Sequence, residues 1–338
     1  MATSTIAHPI QTLREQVTAL EAAITLCLAN PKPKPVHLLR TTTRRIEAQL
    51  TLLSLLRGLP PHRKPAKKSR RLIRELRRAA GQVRDLDVQI GLIKEKTSAS
   101  TQKESRQLRK PLKRQRTQTE TDLIKLLNNH QTKLTLALES LLKTLTPAER
   151  LTLTTTQLTT LTRDWFTRKL PTKPNPDDPD QLHAIRKTAK LARYIAETAP
   201  NSARSAHKLA ATFESLQQSG GNWHDWLILT NLAHNHLGNS SALAQTFRRH
   251  CQTALSTYRT HLSTLSLPPH PNHPPLQPPQ RLPRPVIVPP QHHQPSQHQR
   301  NPRSHRQQAP RHSSHQQTPP NRLPPPHHSS SLNPIHPH

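Results

Sequence analysis

The chain has 338 residues, with 50 Lys and Arg against 19 Asp and Glu, for a formal charge of +31. Only 31% of residues are hydrophobic and 2% aromatic, and there are 35 Pro and 6 Gly. These values exclude one compact globule of this length with an ordinary core.

Taken in chain order, residues 10–29 form the first predicted helix, with Leu13, Val17, Leu20, Ile24 and Leu28 at three- and four-residue steps. Pro31, Pro33 and Pro35 end it, because proline cannot continue a helix. A second helix is expected from about Val36 to Arg57, closed by Gly58 and the Pro60-Pro61 pair. A third runs from about Pro65 to Ala80, is expected to break near Gly81, and resumes from Val83 to Ile93. After a polar stretch at 97–105 comes a long basic helix from about Arg106 to Leu145, with Pro111 as a candidate kink. Pro147 marks a boundary. A Leu/Thr-rich helix is then expected at 148–168, with the run 151–162 compatible with either strand or helix. Prolines at 171, 174, 176 and 179 form a break. Helices are expected at about 181–199 and 202–218, an interruption at Gly220-Gly221, and further helices at 223–237 and 240–265.

Residues 266–338 differ in kind. They hold 21 of the 35 Pro, 12 of the 23 His, seven Arg and no acidic residue. Such a composition cannot bury enough apolar surface to offset chain entropy, so a disordered tail is expected. The seven tail arginines leave +24 on residues 1–265. A body that positive repels itself unless an anion binds it. The fold class expected is all-α, with one domain at 1–265, halves at about 10–146 and 148–265, and the tail outside.

Cys27 and Cys251 are too few for a disulfide framework, and ordinary thiols in a reducing cytoplasm are expected. Met1 to His8 lacks the pattern of a secretory signal, and no stretch has the ~18 apolar residues of a membrane span.

The two halves repeat one another. Val36-His37-Leu38-Leu39-Arg40, followed by Arg44 and Arg45, matches Leu182-His183-Ala184-Ile185-Arg186, followed by Lys190. Gly81-Gln82-Val83-Arg84-Asp85-Leu86 matches Gly221-Asn222-Trp223-His224-Asp225-Trp226. Two ordered motif pairs, offset by 146 and 140 residues, argue for a duplication. At 100° per residue His37, Arg40 and Arg44 share a helix face, opposite Leu39, Ile46, Leu50 and Leu53. His183, Arg186, Lys187 and Lys190 do likewise, opposite Ile185, Ala192 and Ala196. In the third helix Lys67, Arg70, Arg74, Arg77 and Arg78 gather on one side. Like charges at such spacings cost a few tenths of a kcal/mol per pair. A merely solvated face would mix in Glu. Between Arg63 and Arg116 there are 19 cations and five carboxylates, which points to a built anion surface.

The His-x-x-Arg-x-x-x-Arg-Arg helix, followed by a basic helix ending in Gly81-x-x-Arg84-Asp85-Leu86-Asp87-Val88, resembles the CHAD family, the conserved histidine α-helical domain. His183-x-x-Arg186-Lys187-x-x-Lys190-x-x-Arg193-Tyr194 is similar to that family's second repeat. The resemblance covers about residues 10–262. It implies two helical bundles related by a pseudo-two-fold axis, basic faces around a central groove or pore, and binding of inorganic polyphosphate without catalysis. The resemblance carries over His37, Arg40, Arg44 and Arg74 as site residues in the first half, and His183, Arg186, Lys187, Lys190 and Arg193 in the second. The basic helix faces add Arg45, Lys67, Arg70 and Arg78 as candidates, and the matching positions of the second half add His207 and Lys208. Two departures stand out. Glu214 falls where the first half has Arg74, and His224-Asp225-Trp226-Leu227 replaces the family's Asn-Asp-x-Asp. His207 and Lys208, at the positions of Lys67 and Lys68, are placed to compensate in part.

A polyphosphate receptor needs closely spaced cations and nothing that reads base edges, with Arg as a planar fork and Lys as a point charge. Each motif histidine has two readings: a donor or cation at phosphate, or a structural hydrogen bond. Asp85 and Asp87 read as orienters of nearby arginines rather than catalytic acids. No nucleotide-binding, hydrolase or zinc-protease motif occurs, so no enzyme, cofactor or metal is expected. The tail pairs His292-His293 and His327-His328 are explained by composition. The rival partner is nucleic-acid backbone bound non-specifically. Residues 1–164 contain no aromatic residue, which disfavours base stacking there. A membrane role is disfavoured because the Leu faces are needed for cores. The expected location is the cytoplasm, at polyphosphate granules.

Overall fold

A computed structural model describes residues 6–171 and 175–265. The expectation of a disordered tail concerns residues 266–338, outside the described residues. Eight α-helices are present among the described residues: α1 (Pro9–Ala29), α2 (Pro33–Leu55), α3 (Arg63–Glu95), α4 (Gln102–Leu145), α5 (Thr155–Lys169), α6 (Pro179–Ala196), α7 (Arg204–Leu237) and α8 (Ala242–Ser263). The all-α class expected from periodicity is the one observed.

Local signals fix many ends. Proline stands in the first turn of α1, α2 and α6, where its missing N–H costs nothing. Asp178 caps α6 by accepting from the backbone N–H groups of Asp180 at 2.9 Å and Gln181 at 3.2 Å. Ser241 Oγ accepts from Ala244 N at 3.1 Å to start α8. Gly238 ends α7 with φ at +79°, a conformation that glycine adopts without penalty.

Three expectations need correction. Gly81 does not break the third helix, and Gly220-Gly221 does not break the seventh. Both helices run through, 33 and 34 residues long. An interior glycine costs only about 1 kcal/mol. Here the helix is held by its neighbours, since Ala80 and Val83 flank Gly81 in one core and Leu216 and Trp223 flank Gly220 in the other. The run 151–162 is mixed. Leu153–Thr154 forms a two-residue strand paired antiparallel with Ile6–Ala7, and helix begins at Thr155. Thr154 is extended there as the N-cap, exchanging hydrogen bonds with Gln157 in a capping box.

Two cores form. The first gathers Leu13, Leu20 and Ile24 of α1, Leu39, Ile46, Leu50 and Leu53 of α2, Ile73 and Leu76 of α3, and Leu134 to Leu145 of α4. The second gathers the apolar faces of α5 to α8, including Phe166, Ile185, Phe213, Trp226 and Phe247. Ala48 and Leu52 of α2, Leu86 and Ile93 of α3, and Leu108 and Leu112 of α4 join this second core. The far end of the α3–α4 hairpin therefore packs on the second half. Helix α2 packs directly on α6. A buried Gln49 amide donating to Thr198 Oγ1 at 2.7 Å and an Arg45–Glu197 ion pair at 3.3 Å join the halves there. This junction brings the two His-x-x-Arg motifs together.

Candidate anion-binding site

A cleft of about 370 Å³ opens where α2, α3, α6 and α7 meet. Helix α2 supplies His37, Arg40 and Arg44, and α6 supplies Arg186, Lys187 and Lys190. Helix α3 adds Arg84 and Asp85, and α7 adds His224 and Asp225. Six Arg or Lys thus face two carboxylates. The apolar sides of α2 and α6 are committed to the cores, and their cationic sides meet across the cleft.

The motifs cross-connect. Arg40 donates to Asp85 at 3.4 Å. Asp225 lies in the field of Arg186, Arg40 and Arg84, and burial still holds its carboxyl above the usual range. Arg186 in turn feels Asp225, Arg40 and Asp85. Of the glycines at the site, Gly220 is the one without room for a side chain. At the duplicated pair, Gly81 and Gly221, a Cβ would only reach ordinary contact, 3.4 Å from Arg40 Nε and 3.9 Å from Arg186 Nη1. At Gly220 it would meet the Tyr258 ring at 2.8 Å and Arg186 Cγ at 3.2 Å. Bare backbone at Gly220 lets the Tyr258 ring and the Arg186 stem lie against α7. Tyr258 cannot swing away easily: it is fully buried, and its hydroxyl donates to Leu182 O at 2.9 Å.

Gly220→Ala is therefore expected to lower stability by about 1–2 kcal/mol, the clash outweighing the helix-propensity gain. At Gly91 an added Cβ meets nothing within 4 Å, so Gly91→Ala is expected to raise the melting temperature. Thermal melts of both variants check the pair.

The electrostatics are those of a crowded, partly buried cation cluster. Burial, then repulsion from Arg44, Arg40, Arg186 and Arg193, pushes the Lys190 amine down to about 7. Burial and neighbouring cations lower Arg44 to about 10. The Nε atoms of Arg40, Arg44 and Arg186 are buried and have no hydrogen-bond partner. Three unsatisfied guanidinium donors at one cleft are costly, and such groups call for a functional explanation. The His183 and His224 rings lie 4.6 Å apart, and burial beside cations lowers both to about 4. Both are neutral at physiological pH. His183 Nδ1 is buried without a partner, so this atom makes no structural hydrogen bond. His37 is also lowered, by burial and then by Arg84, Lys190 and Arg40.

Six of the fifteen residues expected from the sequence line the cleft: His37, Arg40, Arg44, Arg186, Lys187 and Lys190. His183 stands beside it, against His224. The others are placed elsewhere or already paired. Arg45 bonds Glu197, and Arg193 bonds Glu197 at 2.6 Å and Glu214 at 2.7 Å, both guanidiniums lying 5.5 Å from the Tyr194 ring. Glu214, the acidic replacement noted in the second half, thus neutralises Arg193. Arg70 donates to Leu50 O at 2.6 Å. Lys67, Arg74 and Arg78 are exposed on α3 and do not line the cleft. His207 donates through Nε2 to Pro200 O at 3.1 Å, and Lys208 is exposed on α7. These two therefore do not compensate within the cleft. Arg84, His224 and Asp225 belong to the site but were not among the expected residues. Their signal was the repeated Gly-x-x-Arg/His-Asp element. Asp85 orients Arg40, and Asp87 accepts from Arg116 at 3.0 Å on the far side of α3.

Among the described residues no group of His, Cys, Asp or Glu converges as metal ligands, and no helix is long and apolar enough to cross a membrane. Cys27 is buried and pushed up to about 11, which makes it a poor nucleophile.

The fold is similar to that of the CHAD domain from the plant Ricinus communis, with a TM-score of 0.56 at 16% identity, over 78% of this chain and 95% of that one. It is also similar to PptA from Streptomyces chartreusis, with a TM-score of 0.51 at 14% identity, over 76% of this chain and 98% of that one. No curated protein matches the chain. The family model described as CHAD domain matches residues 11–234, through both His-x-x-Arg helices and both glycine-containing helices that build the cleft. The chain belongs to the CHAD family.

Proposed function

We propose that the protein binds inorganic polyphosphate in the α2–α3–α6–α7 cleft, without catalysing its turnover, and so associates with polyphosphate granules. The observation that carries this reading is the set of three buried, unpartnered guanidinium Nε atoms contributed by both halves to one cleft. A chain of linked phosphates offers repeated oxygen acceptors to such forks. A polyanion between two like helices also offsets the burial and the cation repulsion that together hold Lys190 at about 7. The two carboxylates present, Asp85 and Asp225, are engaged with arginines rather than poised over an open reaction volume.

Nucleic-acid backbone is the rival ligand. All eight aromatic residues of the chain are buried, none more than 9% exposed. No base can stack on them. Polyphosphate should therefore outcompete single-stranded DNA at physiological salt, and competition against duplex DNA, which needs only cations, separates the two ligands.

Titration of the purified protein with long-chain polyphosphate across a salt series tests the proposal. With about five phosphates neutralised, affinity is expected to fall about 100-fold between 50 and 200 mM salt. A flat salt series, or displacement of polyphosphate by an equal phosphate concentration of duplex DNA, would overturn the reading.

A further inference from the structure

A second basic surface lies outside the cleft. The N-terminal half of α4 carries Arg106, Arg109, Lys110, Lys113 and Arg114, which line a notch of about 360 Å³. At 100° per residue these five fall within one 140° arc of the helix. From Arg106 to Lys113 the helix rises about 10 Å. The back of this segment is anchored by Leu108 and Leu112, both buried in the second core.

The cations here lack counterions. Glu104 is the only carboxylate between residues 97 and 119. Its Oε2 accepts from Leu243 N at 3.0 Å and so is committed to the start of α8. Arg116, the next cation along, is taken by Asp87, Glu120 and Pro31 O. None of the five pairs with a carboxylate among the described residues. Arg109 Nε is buried with no hydrogen-bond partner, the condition found at the cleft for Arg40, Arg44 and Arg186. Pro111 sits in the middle of the cluster, so Gln107 O lacks the usual helical N–H partner.

We propose that this notch is a second polyphosphate-binding site, separate from the cleft, which makes the protein bivalent for long chains. The inference rests on the proposed function in its ligand class. The shape favours that ligand over other anions. A membrane surface is flat, and the apolar residues of this segment are turned into the core, leaving nothing to insert. A duplex would meet the exposed Arg106, Lys110, Lys113 and Arg114 but would not reach the half-buried Arg109. A single phosphate chain is thin enough to follow the notch between these side chains, where the outer nitrogens of Arg109 can turn to it. A long chain held at two places gains by effective concentration, whereas a chain too short to span both sites does not. Bivalency would also allow one protein to join two chains, which suits a protein that coats a granule.

The test uses the full chain and two probes, long-chain polyphosphate and tripolyphosphate, at physiological salt. Arg109→Gln with Lys113→Gln is compared with a charge-matched control, Lys125→Gln with Lys133→Gln, lower on the same helix. The notch variant is expected to bind long chains about tenfold more weakly while its affinity for tripolyphosphate changes less than twofold. The control is expected to lose under twofold for either probe. Equal loss in variant and control, unchanged long-chain binding, or parallel loss of both probes would each overturn the second site. The cleft reading fails by a different result: an Arg40→Gln, Arg186→Gln protein that binds tripolyphosphate as well as the parent. If duplex DNA binding is abolished by the notch variant while polyphosphate binding is untouched, the ligand class assigned to the notch is wrong.

Discussion

Replacing Arg40 and Arg186 together by Gln is expected to weaken long-chain polyphosphate binding by at least about 100-fold at physiological salt. A charge-assisted hydrogen bond contributes about 1.5–3 kcal/mol, so losing one from each half removes roughly 3–6 kcal/mol. These two arginines are the strongest choice for a physical reason. Each leaves a buried Nε donor without a protein acceptor, and each lies beside a glycine of the neighbouring helix, Gly81 for Arg40 and Gly220 for Arg186. Gln keeps the amide polarity and much of the stem, so packing against the bare helix is largely retained. The exposed α3 pair is the contrast. Arg74→Gln with Arg78→Gln removes the same formal charge, but neither residue lines the cleft. A surface charge acts through a screened field, and about a threefold loss is expected. Filter retention or calorimetric titration measures both, with far-UV dichroism and melting temperature as folding controls. Equal losses in the two variants would mean that net charge, not the cleft, holds the polymer.

That contrast also shows where sequence reading stopped. Helical phase placed His37, Arg40 and Arg44 on one face and Leu39, Ile46, Leu50 and Leu53 on the other. The structure buries those four leucine and isoleucine residues and turns the three basic ones to the cleft. The same phase put Lys67, Arg70, Arg74 and Arg78 on one side of α3, yet that side is not the cleft side. Phase gives a direction relative to one helix axis. It cannot say which neighbouring helix lies there. Gly220 carried part of that information, because the close approach of the Tyr258 ring and the Arg186 stem leaves no room for a Cβ there. Read as punctuation, Gly81 and Gly220-Gly221 became helix breaks. Read as contact points, they would have placed Arg84, His224 and Asp225 in the site. Pairing was equally hidden. Arg45 and Arg193 look like free cations in the sequence, but Glu197 is 152 and 4 residues away from them and engages both.

Lys190→Met is expected to stabilise the free protein and weaken its binding, an exchange that follows from one lysine's surroundings. The Lys190 amine is held at about 7 in the folded chain, against 10.5 for an ordinary lysine, by burial and then by Arg44, Arg40, Arg186 and Arg193. Between those two values the unfolded chain binds the proton more fully than the folded one. Stability from this group therefore rises with pH through the window from about 7 to 10.5, and the full penalty is present below it. Met removes the charge and keeps the stem, so the variant should gain about 1–3 kcal/mol near pH 7, discounted for water entering an open cleft. The gain should shrink as pH rises towards 9. Chemical denaturation of parent and variant at pH 6, 7.5 and 9 measures it. Binding runs the other way. Phosphate beside the amine raises its affinity for a proton, so the parent should take up close to one proton per cleft filled at pH 8 and bind more weakly as pH rises. His183 and His224, near 4, are neutral across this range, and Arg44, near 10, stays charged through pH 9. None of these three groups accounts for the proton taken up at pH 8. Calorimetric titration in two buffers of different ionisation enthalpy separates the proton from the binding heat. The uptake should vanish in Lys190→Met, and its persistence there would show that the polymer does not meet this lysine.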